Sequence, residues 1–174
     1  KIHWKLKIDN WKLTGNIPYY ITGRIFRVVG ELEHKPKVVV FMVQREVAER
    51  VTAEPPKMNL LAASVQVWAE AGVLFKVSRD EFHPRPKVDS AVIWLESREQ
   101  SLESRSIQKH YYELIKILFK QPRKTILNNL SAGFDAPKEE LARVLQDVHV
   151  SPSDRPQSLS VELITKLARM LYNR

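Results

Sequence analysis

The chain has 174 residues, enough for one full domain or a large and a small one, and 44% of them are aliphatic or aromatic, ample for a core. No apolar run approaches the roughly 18 to 20 residues of a membrane helix. The opening lacks the basic-then-apolar layout of a signal peptide, and the absence of cysteine excludes disulfides and thiolate metal sites. A net charge of +8, with an excess of four cations in each of residues 1–97 and 98–174, suits either a polyanionic partner such as nucleic acid or simply a soluble surface.

Along the chain, "KIHWKLKIDNWK" reads as the middle of something, so a piece of a longer protein is expected. Lys12 to Gly15 looks like the end of a strand. Thr22 to Leu32 has a helical rhythm of apolar residues with Thr22 as N-cap. Lys37 to Val43, "KVVVFMV", is an apolar run that fits a strand buried on both faces. Arg45 to Val51 predicts a helix, and Leu60 to Glu70 another, stopped by Gly72. Val73 to Val77 and Ala91 to Leu95 are strand-like, with no helical pattern between them, and so predict an antiparallel addition to an otherwise parallel sheet. After Glu96 a polar linker leads to helices at Ile107–Phe119, Pro122–Leu130, Pro137–Leu145 and Ser160–Leu171. The chain therefore divides into an α/β part, residues 1–97, and a small all-helical part, residues 98–174.

Two stretches raise questions of chemistry. "GNIPYY", Gly15 to Tyr20, stands where a sheet presents its carboxyl ends, the usual ligand edge of an open α/β fold. Pro18 stiffens the loop and biases Ile17 towards extended geometry. The Asn16 side-chain oxygen and a free carbonyl then make two acceptors beside the flat face of Tyr19, a set that suits a planar group bearing an amino function. The same residues also fit a plain turn with Tyr19 packed on the core. "FHPRPKVDSAV", Phe82 to Val92, is either a rigid connector with a buried Phe82 or a loop that faces Phe82 towards Tyr19. His83 has no partner at metal-ligand spacing, so packing or a phosphate-side role is expected for it and no metal site is. Glu46, Glu49 and Asp89 form no acid–base pair and read as structural.

Asn16-Ile17-Pro18-Tyr19 resembles the Asn-Leu/Ile-Pro-Tyr signature of amino-directed adenine N6-methyltransferases, and Phe82 to Val92 is similar to a segment of the rRNA adenine dimethyltransferases. Three further stretches resemble the KsgA family within that group. These are Met42 to Arg50, "MVQREVAER"; Phe119 to Ile126, "FKQPRKTI", with Asn129-Leu130 behind it; and Arg155 to Ser160, "RPQSLS". The Erm-type enzymes of 23S rRNA share the first two motifs but typically lack the "QREVA" and "QPRKT" types of stretch. The resemblance implies an α/β fold: the C-terminal portion of a Rossmann-like, SAM-dependent methyltransferase sheet followed by a small all-helical RNA-binding domain. It implies N6 dimethylation of two adjacent adenosines near the 3′ end of small-subunit (16S) rRNA. S-adenosylmethionine (SAM) would be the donor and no metal would be needed. The protein would act as a cytoplasmic monomer on the 30S subunit during its maturation. Carried over by residue, Asn16 and the Pro18 carbonyl accept from the N6 amino group, Tyr19 and Phe82 stack on the base, and Asn16 also borders the SAM methyl. Lys120, Arg123 and Lys124, around the start of a helix, and Arg155 contact RNA phosphates. The alternatives are an Erm-type 23S rRNA methyltransferase and a non-catalytic RNA-binding or ribosome-assembly module.

The chain departs from the family in several places. The family's glycine-rich SAM loop and ribose-binding acid lie upstream of Asn-Leu-Pro-Tyr, and the fourteen residues before Gly15 contain neither a glycine-rich loop nor room for one. This polypeptide alone is therefore expected neither to bind SAM tightly nor to turn over. Tyr20 stands where the family usually has Asn, Asn59-Leu60 replaces a common Gly-Arg, and Pro122 replaces an Arg.

Overall fold

A computed structural model describes residues 10–98 and 105–172. In chain order the elements are β1 (Lys12–Asn16), α1 (Thr22–Glu31), β2 (Val38–Gln44), α2 (Arg45–Val51), α3 (Leu60–Gln66), β3 (Ala69–Val77) and β4 (Ser90–Ser97). Four helices follow: α4 (Arg105–Leu118), α5 (Ile126–Ser131), α6 (Lys138–Asp147) and α7 (Val161–Tyr172). Contacts divide the described residues into two units, one drawn from 10–52 and 68–98, the other from 53–67 and 105–172. Residues 53–67, which the pattern alone puts with the α/β part, thus group with the helices.

The first unit is a four-stranded sheet in the order β1-β2-β4-β3. β1 and β2 run parallel, joined through α1, while β4 is antiparallel to both β2 and β3. This is the expected parallel pair with an antiparallel addition. α1 buries Phe26 and Val29, and the Phe26 ring lies 6.1 Å from that of Phe41 on β2. The cap differs from expectation: Ile21 is the N-cap, and the Thr22 hydroxyl donates back to the Tyr19 carbonyl at 3.1 Å. β2 alternates, with Val39, Phe41 and Val43 buried and the opposite face only half-buried, so it is not covered on both sides as its apolar run suggests. β3 starts at Ala69, so the preceding helix stops at Gln66 instead of reaching Glu70. Ladder pairing of Ala69 with Ser97 and Glu70 with Glu96 overrides local helical preference there.

Gly30, in the last turn of α1, lies against the buried indole of Trp68. A Cβ at position 30 would stand 2.7 Å from Trp68 Nε1. Gly30→Ala is therefore expected to destabilise the unit by about 1–3 kcal/mol, despite alanine's better helix propensity, because an indole held in the interior cannot yield. A lowered urea midpoint measures this; a raised one contradicts it.

In the second unit α4 packs against α3, α5 and α7. Tyr111, Leu114 and Leu118 of α4 are fully buried, with Ile126, Leu130 and Leu167 from its neighbours. The Tyr111 hydroxyl donates to the Ala63 carbonyl at 2.9 Å, tying α4 to α3. Asn59 is the N-cap of α3, its side-chain oxygen accepting from the amides of Leu61 and Ala62 at 3.0 and 3.1 Å, which gives the departure at this position a structural reason. α5 begins at Ile126 with Thr125 as its cap; Pro122 to Lys124 precede the helix as a turn instead of opening it. No helix among the described residues is long and apolar enough to cross a membrane.

Candidate functional site

Parallel strands β1 and β2 end at Asn16 and Gln44, and the antiparallel pair turns at the same edge, between Val77 and Ser90. Three connections, β1 to α1, β2 to α2 and β3 to β4, thus lie at the edge where both quoted motifs fall. The Ile17 amide donates to the Met42 carbonyl at 3.1 Å, which extends the β1–β2 ladder by one bond, and the Ile17 side chain is buried. That anchor leaves Asn16 exposed on one side and Pro18 exposed on the other. Pro18 has φ −55° and ψ 127°, and a 3-10 turn, Tyr19–Ile21, follows. The Pro18 carbonyl accepts the Ile21 amide at 3.1 Å. The Thr22 hydroxyl, 3.5 Å away, lies nearer the Tyr19 carbonyl. A carbonyl has two lone pairs, so that of Pro18 keeps capacity for a further donor.

Tyr19 is half-buried, and its hydroxyl makes a 2.8 Å hydrogen bond with the Ser90 hydroxyl. Ser90 is fully buried at the start of β4. The bond spans 71 positions and joins the two motifs: Ser90 fixes the ring of Tyr19, which neither sinks into the core nor swings free. Sequence reasoning missed Ser90, although it lies inside the quoted Phe82 to Val92 stretch. Tyr20, next along, is 89% exposed.

Phe82 closes a 3-10 turn, Arg79–Glu81, and is half-buried. Asp89 holds this loop in place, as its structural reading expects. One carboxylate oxygen accepts the Arg79 amide and the other the Arg45 guanidinium, both at 3.2 Å, while the Arg45 amide donates to the Asp89 carbonyl at 3.0 Å. The loop before β4 is thereby pinned to the start of α2. Phe82 and Tyr19 sit on loops at one edge without ring contact. His83 is exposed, and no cluster of potential metal ligands occurs among the described residues.

In the helical unit Lys120, Arg123 and Lys124 are exposed on the turn between α4 and α5. Arg155, also exposed, precedes a 3-10 turn at Pro156–Ser158. The Ile126 amide donates to the Asp154 carbonyl at 2.7 Å, so the backbone beside Arg155 meets the backbone beside Lys124. Asn129, 4% exposed, wraps the turn: its oxygen accepts the Gln121 amide, and its amide donates to the carbonyls of Gln121, Lys124 and Thr125. Two described groups, Lys35 and Tyr172, have shifted titration. Burial pushes the Lys35 ammonium below its ordinary value, and burial followed by the charge of Glu113 pushes the Tyr172 phenol up.

The α/β sheet thus carries an exposed amide, a proline carbonyl and a tethered tyrosine at its carboxyl edge. The profile of the family described as "Ribosomal RNA adenine dimethylase" matches residues 4–171, and the chain belongs to that family. It is 36% identical over 163 residues to the ribosomal RNA small subunit methyltransferase A of Lactococcus lactis subsp. lactis, covering 92% of this chain and 55% of the relative. Against the protein of that name from Dehalococcoides mccartyi it is 33% identical over 152 residues, covering 87% and 52%. The chain spans about half the length of these relatives. Among solved structures, a dimethyladenosine transferase from Plasmodium falciparum superposes with a TM-score of 0.78 at 25% identity, over 94% of this chain and 66% of that one. The 23S rRNA methyltransferase ErmE shares the fold, with a TM-score of 0.70 at 24% identity over 92% and 64%.

Proposed function

We propose that this chain carries the base-gripping and RNA-binding residues of a SAM-dependent enzyme that dimethylates N6 of two adjacent adenosines near the 3′ end of small-subunit (16S) rRNA, as part of small-subunit maturation. The observation that supports this most is the Asn16–Tyr19 loop. It offers an exposed amide oxygen, a carbonyl with spare capacity and a ring tethered through Ser90, all at the carboxyl edge of the sheet.

The chemistry explains these residue types. The N6 lone pair of adenine is delocalised into the ring, so the nitrogen is a weak nucleophile. Acceptors at Asn16 Oδ1 and the Pro18 carbonyl draw on its two hydrogens, favour a pyramidal nitrogen and aim the lone pair. The catalysis is one of position and electrostatics. No strong base is required. The target base must leave its stack, and aromatic faces at Tyr19 and Phe82 offset that cost by about 1–3 kcal/mol per stacked base. Lys120, Arg123, Lys124 and Arg155 hold phosphates and set the register without reading sequence.

SAM, when bound, supplies a methyl already activated by its sulfonium. The described residues fit that group only at one point, Asn16. None of the described glycines has a positive φ, so no tight glycine turn of the phosphate- or nucleotide-cradling kind is built from them.

Tritium-methyl transfer from SAM, with a SAM-binding half joined to this chain, tests the proposal on undermethylated subunits. Label on small-subunit rRNA is expected. Label on large subunits instead would give the Erm-type activity, and binding without transfer would give an assembly module.

A further inference from the structure

We propose that the groove beside Gly133 seats a phosphodiester of the bound RNA strand, with Lys116 as a backbone contact that joins Lys120, Arg123 and Lys124. This rests on the RNA-binding reading above and extends it from the quoted basic stretch to Lys116, which lies outside that stretch.

Charge comes first. From Leu114 to Phe134 the chain carries Lys116, Lys120, Arg123 and Lys124 and no aspartate or glutamate. All four cations are exposed, and none is within ion-pair distance of a carboxylate among the described residues. The nearest acid on the helix, Glu113, turns to Lys109 at 3.9 Å. Like charges about one helical turn apart, as at Lys116 and Lys120, oppose each other, so the arrangement carries a repulsion that a bound polyanion relieves.

Shape comes second. Lys116, Lys120, Gln121, Asn129 and Gly133 line an open groove of about 240 Å³ between the end of α4 and the end of α5. Gly133 makes that closeness available, since a Cβ there would stand 2.5 Å from the Ile117 side chain. Asn129 fixes the opposite wall through its bonds to the 121–125 turn. A wall held before binding loses little freedom on binding. Ammonium groups on flexible stems act as point charges for phosphate, and the side-chain amide of Gln121, which lines the groove, is a neutral donor. The groove runs directly into the turn that bears Arg123 and Lys124.

Filter binding of this chain to an RNA hairpin from the 3′ end of small-subunit rRNA, titrated with NaCl, tests the assignment. Lys116→Ala is expected to weaken binding several-fold and to reduce the salt slope by about 0.7–0.9, as Lys124→Ala also does. Lys116→Arg should keep the slope. Lys166→Ala, which removes an exposed lysine of α7, should leave it unchanged. A Lys116→Ala slope equal to that of the parent, with Lys124→Ala reduced, overturns the groove while sparing the basic turn. Equal losses for Lys116→Ala and Lys166→Ala would mean diffuse attraction and overturn it too. If the parent binds polyglutamate as tightly as the hairpin and Lys116→Ala abolishes that, the groove belongs to an acidic protein. A parent that binds no hairpin at any salt sinks the RNA-binding reading and the groove together.

Discussion

Asn16→Ala, in a protein that joins this chain to a SAM-binding half, is expected to lower methyl transfer by about 10²–10³-fold, the usual effect of removing one preorganised polar group from a reacting centre. RNA affinity should change by less than about 2-fold, because phosphate contacts dominate such affinities and the proposed ones involve other residues. The fold should be untouched. The Asn16 side chain is exposed at the end of β1, and the neighbouring anchor, the Ile17 amide on the Met42 carbonyl, is a backbone bond that alanine leaves in place. Surface substitutions of this kind usually shift stability by no more than about 0.5 kcal/mol. Single-turnover transfer and filter binding on the same preparations decide the matter. Parallel loss of transfer and binding would make Asn16 an ordinary RNA contact, and unimpaired transfer would remove it from the reaction.

Asn129→Ala is expected to cost on the order of 2–4 kcal/mol, since it deletes several side-chain hydrogen bonds at once and strands their backbone partners. The Gln121 amide loses its acceptor at 3.2 Å, and the carbonyls of Gln121 and Thr125 each lose a donor at 3.1 Å. The turn that bears Lys120, Arg123 and Lys124 should loosen with them. Urea denaturation reads the first effect. Trypsin, which cuts after lysine and arginine, reads the second as faster cleavage between residues 120 and 124. An unchanged midpoint together with unchanged cleavage would show that the turn holds its shape without Asn129.

The resemblance placed Asn129 beside the basic stretch, but only the fold shows what it does there. The same holds at the sheet edge. Asn16, Pro18 and Tyr19 stand out in the chain because a proline and two aromatics after an asparagine are an odd way to end a strand. That Tyr19 is steadied by Ser90, and the Phe82 loop by Asp89 and Arg45, depends on contacts across 71 and 44 residues that no local pattern encodes.

Element existence was legible wherever the signal is local. The helical rhythm of residues 22–32, the apolar run ending at Val43 and the antiparallel final pair each express a periodicity or a spacing that the backbone must obey. Boundaries were less so. The Leu60–Gln66 helix stops early because Ala69 and Glu70 find ladder partners on β4, and α5 starts late because Thr125, four residues past Gln121, supplies the cap. The segment before Arg155 meets the start of α5 because the Ile126 amide reaches the Asp154 carbonyl and the Leu127 amide the Pro152 carbonyl. By itself, then, the amino-acid order determined the kinds of element and the basic stretch, and through the family resemblance the candidate grip on a base, since these reside in residues adjacent along the backbone. Which side chains steady that grip, and which lysine shares a groove with which, was decided by tertiary packing, because such contacts exist only once distant segments have been brought within hydrogen-bonding reach.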